Sequence, residues 1–246
     1  MRIHLVYVVA GTTDGAPPPE VYRPGYERFI RTLFEFDPGD QINLLLVNSN
    51  GGLTNDMRRM LPWQEGFKIR EVEYRGTGWD VGAQQFAAQF LPLEDYMICF
   101  SSWAHFAGPK WLERYQTAIR THGDSLYGSM TSDESARHIR GTGYCLRVES
   151  YLQYPHLIDS RQKTFDAEFG PDSLTNWFVA NKRGAFLVTF DGIYSQEHFR
   201  TPDNIFRRGN QSVILNRDKH SLIYDEASPE EKIRLSKLSD GEFNPK

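Results

Sequence analysis

Cysteine is nearly absent from this 246-residue chain, which has only Cys99 and Cys145. Each lies in an apolar stretch, "YMICF" and "GYCLRV", that reads as a strand interior. Two buried reduced thiols are the expectation, rather than a disulfide or redox site. Long hydrophobic runs are also missing, and none approaches the ~20 residues that span a bilayer. The chain opens on a strand, "RIHLVYVVAG", without the basic segment and small-residue cleavage site of a signal peptide. A reducing cytoplasm is therefore the expected compartment. Basic blocks are missing too: 28 Lys and Arg and 32 Asp and Glu are scattered for a net charge of −4. Nucleic acid is not expected as the main partner. The sequence has no Walker-type loop, zinc-type Cys/His spacing, Gly-x-Ser-x-Gly elbow or dinucleotide fingerprint, which removes most rival enzyme classes.

What the chain does have is apolar material, 39% hydrophobic with 13% aromatic, enough for a sizeable core. Residues 3–9 form an apolar, β-branched and aromatic run that reads as a strand buried on both faces. A Gly/Pro-rich loop follows. Then Tyr26, Phe29, Ile30, Leu33 and Phe34 recur at helical spacing until "DPGD" stops them. "INLLLVN", "KIREVEY" and "YMICFS" read as three further strands, each leading into a helical segment. Four β-loop-α units in succession predict a mostly parallel sheet covered by helices on both faces. After about residue 124 the pattern turns to short strands of mixed direction. The candidates are "SLYGSM", "RHIRGTGYCLRVES" and "AFLVTFDGIY", with a helix in "DSLTNWFVANKRG". The charged tail from Pro229 reads as a peripheral helix with a loose end. With no internal repeat or linker, residues 1–246 are expected to form a single domain, its halves meeting near 123/124 and its tail covering 229–246.

In such sheets ligands sit beyond the carboxyl ends of the parallel strands. Here those ends are Gly11-Thr12-Thr13, Asn48-Ser49-Asn50-Gly51, Gly76-Thr77-Gly78-Trp79-Asp80 and Ser101-Ser102-Trp103-Ala104-His105. All are polar, Gly-rich or aromatic, a rim suited to a nucleotide-like ligand.

Four segments together resemble the glycosyltransferases of the GT-A fold, especially bacterial and viral relatives in rhamnan-type polysaccharide assembly. They are "RGTGWDVGAQQFAA", "YMICFSSWAHFAGPKWLERY", "HIRGTGYCLRVESYL" and "FDAEFGPDSLTNWFVANKRGAFLV" with the later "FRRGNQSVILNRD". The resemblance covers roughly residues 2 to 225. It implies the nucleotide-diphospho-sugar transferase fold, a nucleotide-sugar donor, and a glycan or other hydroxyl-bearing acceptor. Family members usually keep an Asp-x-Asp motif for a divalent cation, but the matching residues Ser101 to His105 hold no carboxylate. Hydroxyls and one imidazole are poor ligands for Mg²⁺ or Mn²⁺. Either transfer is metal-independent, with no cofactor beyond the donor, or the chain is a fold relative that only binds nucleotide or carbohydrate. A Mg²⁺ or Mn²⁺ ion remains open without support from the motif.

Several residues are candidates on this reading. For the donor they are Thr12, Thr13, Asn48, Asp80, Ser101, Ser102, Trp103, His105 and Arg208, each with a structural alternative. Asp80 either caps the next helix or binds the donor. Trp103 either stacks on a ring or packs beneath a helix, and His105 either contacts phosphate or is a loop histidine. Asn48 fits a turn as well as a nucleobase contact, and Arg207 and Arg208 either reach a diphosphate or are solvated. His138 and Arg140, two apart, are candidates for the acceptor side. Inverting transfer needs a carboxylate to deprotonate the acceptor hydroxyl. Glu168 is favoured for this role over Asp172, whose alternative is an N-cap.

Overall fold

The computed structural model describes residues 2–12, 18–61 and 68–242. Strand β1 (Ile3–Ala10) leads to helix α1 (Arg23–Glu35), β2 (Asn43–Ser49) to α2 (Asn55–Arg59), and β3 (Lys68–Tyr74) to α3 (Trp79–Ala88). Next come β4 (Tyr96–Phe100), the short β5 (His105–Phe106) and α4 (Trp111–His122). The second half holds β6 (Leu126–Gly128), β7 (Thr131–Ser132), β8 (His138–Ile139), β9 (Gly143–Arg147), α5 (Val148–Gln153), α6 (Arg161–Phe169) and α7 (Leu174–Ala180). The chain continues through β10 (Ala185–Val188), β11 (Ile193–Ser195), β12 (Asn216–Arg217), α8 (Lys219–Glu226) and α9 (Pro229–Ser239).

Among the described residues, eight strands form the central sheet in the order β11-β10-β6-β9-β4-β1-β2-β3. All run parallel except β9, inserted antiparallel between β4 and β6, and β11 at the edge. The fold is thus α/β with a mostly parallel sheet, as the four β-loop-α units predict. "AFLVTFDGIY", read as one strand, is instead the β10-β11 hairpin. Its turn forms because the Thr189 hydroxyl donates to the Gly192 carbonyl and accepts from the Gly192 N–H, each at 3.0 Å.

The two-residue alternation of β1 distributes its side chains between two cores. Leu5, Tyr7 and Val9 pack with Phe29 and Leu33 of α1 and with Trp111 and Tyr115 of α4. Val6 and Val8 face the opposite side, with Val81, Ala83 and Ala87 of α3 and Ala167 of α6. Helices therefore cover both faces, each through an apolar stripe at 3–4 residue spacing. Cys99 and Cys145 lie on neighbouring strands as buried free thiols. β3 closes one edge with Lys68, Arg70, Glu71 and Glu73 exposed, a charged pattern that discourages further strand pairing. Within the charged tail, α9 buries Leu235 and Ser239 and Asp240 pairs with Arg200 at 2.7 Å, while residues 243–246, where a loose end is expected, lie outside the described residues.

The order β3-β2-β1-β4 places the switch in winding direction between β1 and β4. Beyond it the backbones crowd together. A Cβ on Gly52 would lie 2.3 Å from the Ala10 carbonyl, so only glycine lets the ends of β1 and β2 meet there. Among the described residues, no helix is long and apolar enough to cross a membrane.

Candidate functional site

A cavity of about 290 Å³ opens at this switch point. Ala10 and Gly11 after β1, Ser49 of β2, Ser101 and Trp103 after β4, and Trp79 and Asp80 of α3 line it. Tyr22, Thr142 and the start of the α8 region, Asp218 to His220, complete the wall. A smaller cavity of about 160 Å³ shares Trp79, Asp80, Ser101 and Thr142 with it and adds Thr164, Phe165 and Glu168 of α6. Two larger grooves flank the 154–158 segment, but neither includes a residue from the ends of β1, β2 or β4.

Ser102 ties the switch point together. Its hydroxyl donates to Asp80 Oδ1 at 3.2 Å and accepts the Ala10 N–H at 3.1 Å, while its own N–H donates to Asp80 Oδ2 at 3.3 Å. Asp80 is thus fixed across the gap between β1 and β4 rather than capping α3, whose N-cap is Gly78 without a side-chain bond. Burial pushes the Asp80 carboxyl up to about 6, the Ser102 hydrogen bonds pull it back, and Glu168 adds to the rise. Glu168 accepts the Gly141 N–H at 2.9 Å, which orients its carboxylate on the wall of the smaller cavity.

Asp172 is exposed and lines a separate groove with Tyr154 and Lys163. It is not the N-cap of α7 either: the Ser173 hydroxyl accepts the Asn176 N–H. Trp103 combines both of its readings, lining the larger cavity while packing against α1, where a Cβ on Gly25 would come within 3.2 Å of its ring.

Other expected donor residues lie elsewhere. Thr12 is exposed and lines neither cavity, and Thr13 lies outside the described residues. Asn48 lies within β2 and lines neither cavity, its Oδ1 accepting the Leu53 N–H at 2.9 Å. His105 is buried in β5, which pairs with β12, and its Nδ1–H donates to the Trp103 carbonyl at 3.2 Å. Burial lowers His105 to about 4, so the imidazole is neutral, and His105 lines neither cavity. Arg208 is held by Asp240 at 2.8 Å and by the Arg200 carbonyl, and it lines neither cavity.

The expected acceptor-side residues are likewise buried. His138 Nδ1–H donates to the Ala136 carbonyl at 2.6 Å, and burial lowers its pKa although Glu168 opposes the shift. Arg140 pairs with Asp218 at 3.5 Å and lies 4.4 Å over the Phe206 ring. It supports the cavity wall through Asp218 and lines neither cavity.

Asp218, Lys219 and His220 were not recognisable as site residues from the sequence; their only signal is the polar run "NRDKH" after the Gly-x-Gln-Ser segment. Asp218 caps α8 by accepting the Ser221 N–H at 2.8 Å. Arg207, buried behind this turn, donates from Nη2 to His220 Nδ1 at 3.3 Å. A guanidinium only donates, so His220 Nδ1 accepts and the ring proton sits on Nε2. Desolvation, with Arg140, Arg207 and Lys219 nearby, lowers the His220 pKa against the pull of Asp218. Trp79 belongs to the expected rim but has no role of its own in the sequence reading; it directly precedes Asp80 in the Gly-rich turn.

Comparison with known proteins adds likeness at low identity. No protein-family model matches the chain, and no curated protein matches it. Among solved structures, HddC from Yersinia pseudotuberculosis complexed with GMP-PN is 14% identical with a TM-score of 0.43, over 64% of this chain and 82% of that one. S. aureus TarS is 13% identical with a TM-score of 0.44, over 72% of this chain and 34% of that one. Mouse xyloside xylosyltransferase 1, apo form, is 9% identical with a TM-score of 0.48, over 76% and 85%.

The residues that the resemblance aligns with an Asp-x-Asp motif do not fit a divalent cation. Ser101 to His105 supply no carboxylate, and the neighbouring Asp80 would be a single carboxylate ligand, held by Ser102. Among the described residues, no group of three or more His, Cys, Asp or Glu side chains is placed to hold a metal ion.

Proposed function

We propose that the chain is a GT-A-type glycosyltransferase, inverting and metal-independent, that moves a sugar from a nucleotide-sugar to a hydroxyl of a glycan. One observation carries the reading: two cavities joined through Asp80 and Ser101 place the Glu168 carboxylate on one side and Lys219 with His220 on the other. Inverting displacement needs that separation. A base removes the acceptor proton on one face of the anomeric carbon while the diphosphate leaves from the other.

Glu168, held by the Gly141 N–H, takes the proton of the attacking hydroxyl. The larger cavity receives the nucleoside diphosphate, with Trp103 beside its ring system and Asp80 and Ser101 at its sugars. As the bond to the donor sugar breaks, the charge growing on the diphosphate is met by the Lys219 ammonium and His220 Nε2–H. Arg207 keeps His220 in the tautomer that donates from Nε2. In this reading they supply the charge stabilisation that a divalent cation would otherwise provide.

The deciding experiment is Glu168→Gln, assayed for both nucleotide binding and transfer. Turnover should fall by ~10²–10⁴, the usual contribution of a general base, with nucleotide affinity nearly unchanged. Wild-type turnover in that variant would remove Glu168 from the mechanism. If a panel of UDP-, GDP-, dTDP- and CMP-sugars produced no thermal shift at millimolar concentration, the transferase reading would fail.

A further inference from the structure

Trp79 is the first residue of α3 and has φ +50°, a left-handed conformation that costs an L residue with a Cβ on the order of 1–2 kcal/mol. Strain of this kind persists where surrounding structure fixes it, most often at ligand sites. The fixing contacts are present. The Thr164 hydroxyl of α6 donates to the Gly78 carbonyl at 2.8 Å. The Arg161 guanidinium lies 4.8 Å from the centre of the Trp79 ring, and the Phe165 ring meets it edge-on at 6.3 Å. The ring is nevertheless only half-buried and lines both cavities.

Arg161, Phe165 and Glu168 recur at i, i+4 and i+7, so they share one face of α6. That face carries the base and the aromatic support of Trp79 together. Phe165 lines the same small cavity as Glu168 and Trp79. A pyranose has an apolar face of C–H groups and a rim of hydroxyls. An aromatic shelf beside a carboxylate matches both, holding the C–H face while one hydroxyl reaches the base.

Resting on the transferase reading above, we infer that Trp79, braced edge-on by Phe165, forms the stacking platform for the acceptor's pyranose ring. Trp79, shared by the two cavities, sets which ring face is presented to Glu168. The acceptor is therefore a saccharide rather than a flexible hydroxyl compound, and His138 and Arg140 do not contact it.

The test uses Trp79→Gly, because glycine accepts the left-handed backbone and so removes the ring without opposing the turn, and Trp79→Phe as the conservative variant. Both are compared with wild type by saturation-transfer NMR. The probes are the methyl pyranosides of glucose, galactose, mannose, rhamnose and xylose, with and without UDP or GDP, and melting temperature serves as a folding control. In wild type the ring C–H protons of at least one pyranoside should take up saturation. Trp79→Gly should weaken that binding by about tenfold, equivalent to ~1.4 kcal/mol, with nucleotide signals retained and partial recovery in Trp79→Phe. Undiminished saccharide signals in Trp79→Gly, or no pyranoside signal in a wild type that binds nucleotide, would overturn the platform. Loss of binding in Trp79→Gly alone, with Trp79→Phe equal to wild type, supports it. Absent nucleotide signals in wild type would defeat the transferase reading, while the saccharide comparison would still decide the platform.

Discussion

Ser102 gives both of its donors to Asp80, the hydroxyl at 3.2 Å and the N–H at 3.3 Å, and so bridges the ends of β4 and α3. The carboxylate is nevertheless held at a cost, because burial raises it from its ordinary 3.8 to about 6. The folded state keeps a proton that the unfolded chain has lost in that window. The stabilising contribution is complete below pH 3.8 and lost as pH rises through 6, on the order of 3 kcal/mol. Asp80→Asn should therefore be more stable than wild type at pH 7 and bind nucleotide more weakly. Denaturant titrations at pH 4 and 7 check this, and a less stable variant at pH 7 would show that the carboxylate is a net support.

His105 acts in the opposite direction. Burial lowers it from 6.5 to about 4, so its contribution is present above pH 6.5 and lost as pH falls through 4, again roughly 3 kcal/mol. Between pH 4 and 6 the two residues offset each other. Asp80→Asn should thus expose a steeper loss of stability toward acid than wild type, and His105→Gln should remove it. Because His105 faces neither cavity, His105→Gln should change turnover by less than about twofold at equal folded fraction. A large loss of turnover without loss of stability would put the imidazole back in the site.

Asp172 and Glu168 should respond very differently. Asp172→Asn alters an exposed carboxylate in another groove, so transfer and stability should stay near wild type. Steady-state kinetics beside Glu168→Gln are sufficient. If Asp172→Asn were the inactive variant, the roles assigned to the two acids would be exchanged.

His220→Ala should lower turnover by about tenfold to a hundredfold with a smaller effect on donor affinity, as for one removed donor to a developing charge. Transfer should persist in EDTA and respond little to added Mg²⁺ or Mn²⁺. Inactivation by EDTA reversed by Mn²⁺ would mean that metal ligands exist among groups assigned other roles here. His220 would then be the first to re-examine, through Mn²⁺ dependence in His220→Ala.

Local spacing made part of this protein legible. Alternation in β1 and β2 marks strands covered on both faces, and the apolar stripes of α1 and α4 mark their helices. Both follow from the periods of 2 and 3.6 residues, which need no distant partner. The polar strand ends point to the cavity because ligands sit beyond the carboxyl ends of parallel strands, and Asp80 lines it there, with Glu168 joining from α6. Tertiary pairing decided the rest. β12 joins β5 from about 110 residues away, an event no local pattern encodes, and that single ribbon does two things. It buries His105, turning a rim histidine into a neutral core residue, and it delivers Lys219 and His220 to the cavity wall. Arg140 and Arg208 are likewise claimed by Asp218 and Asp240, carboxylates distant in sequence. A charge's role depends on which partner removes it from water, and folding brings that partner from elsewhere in the chain.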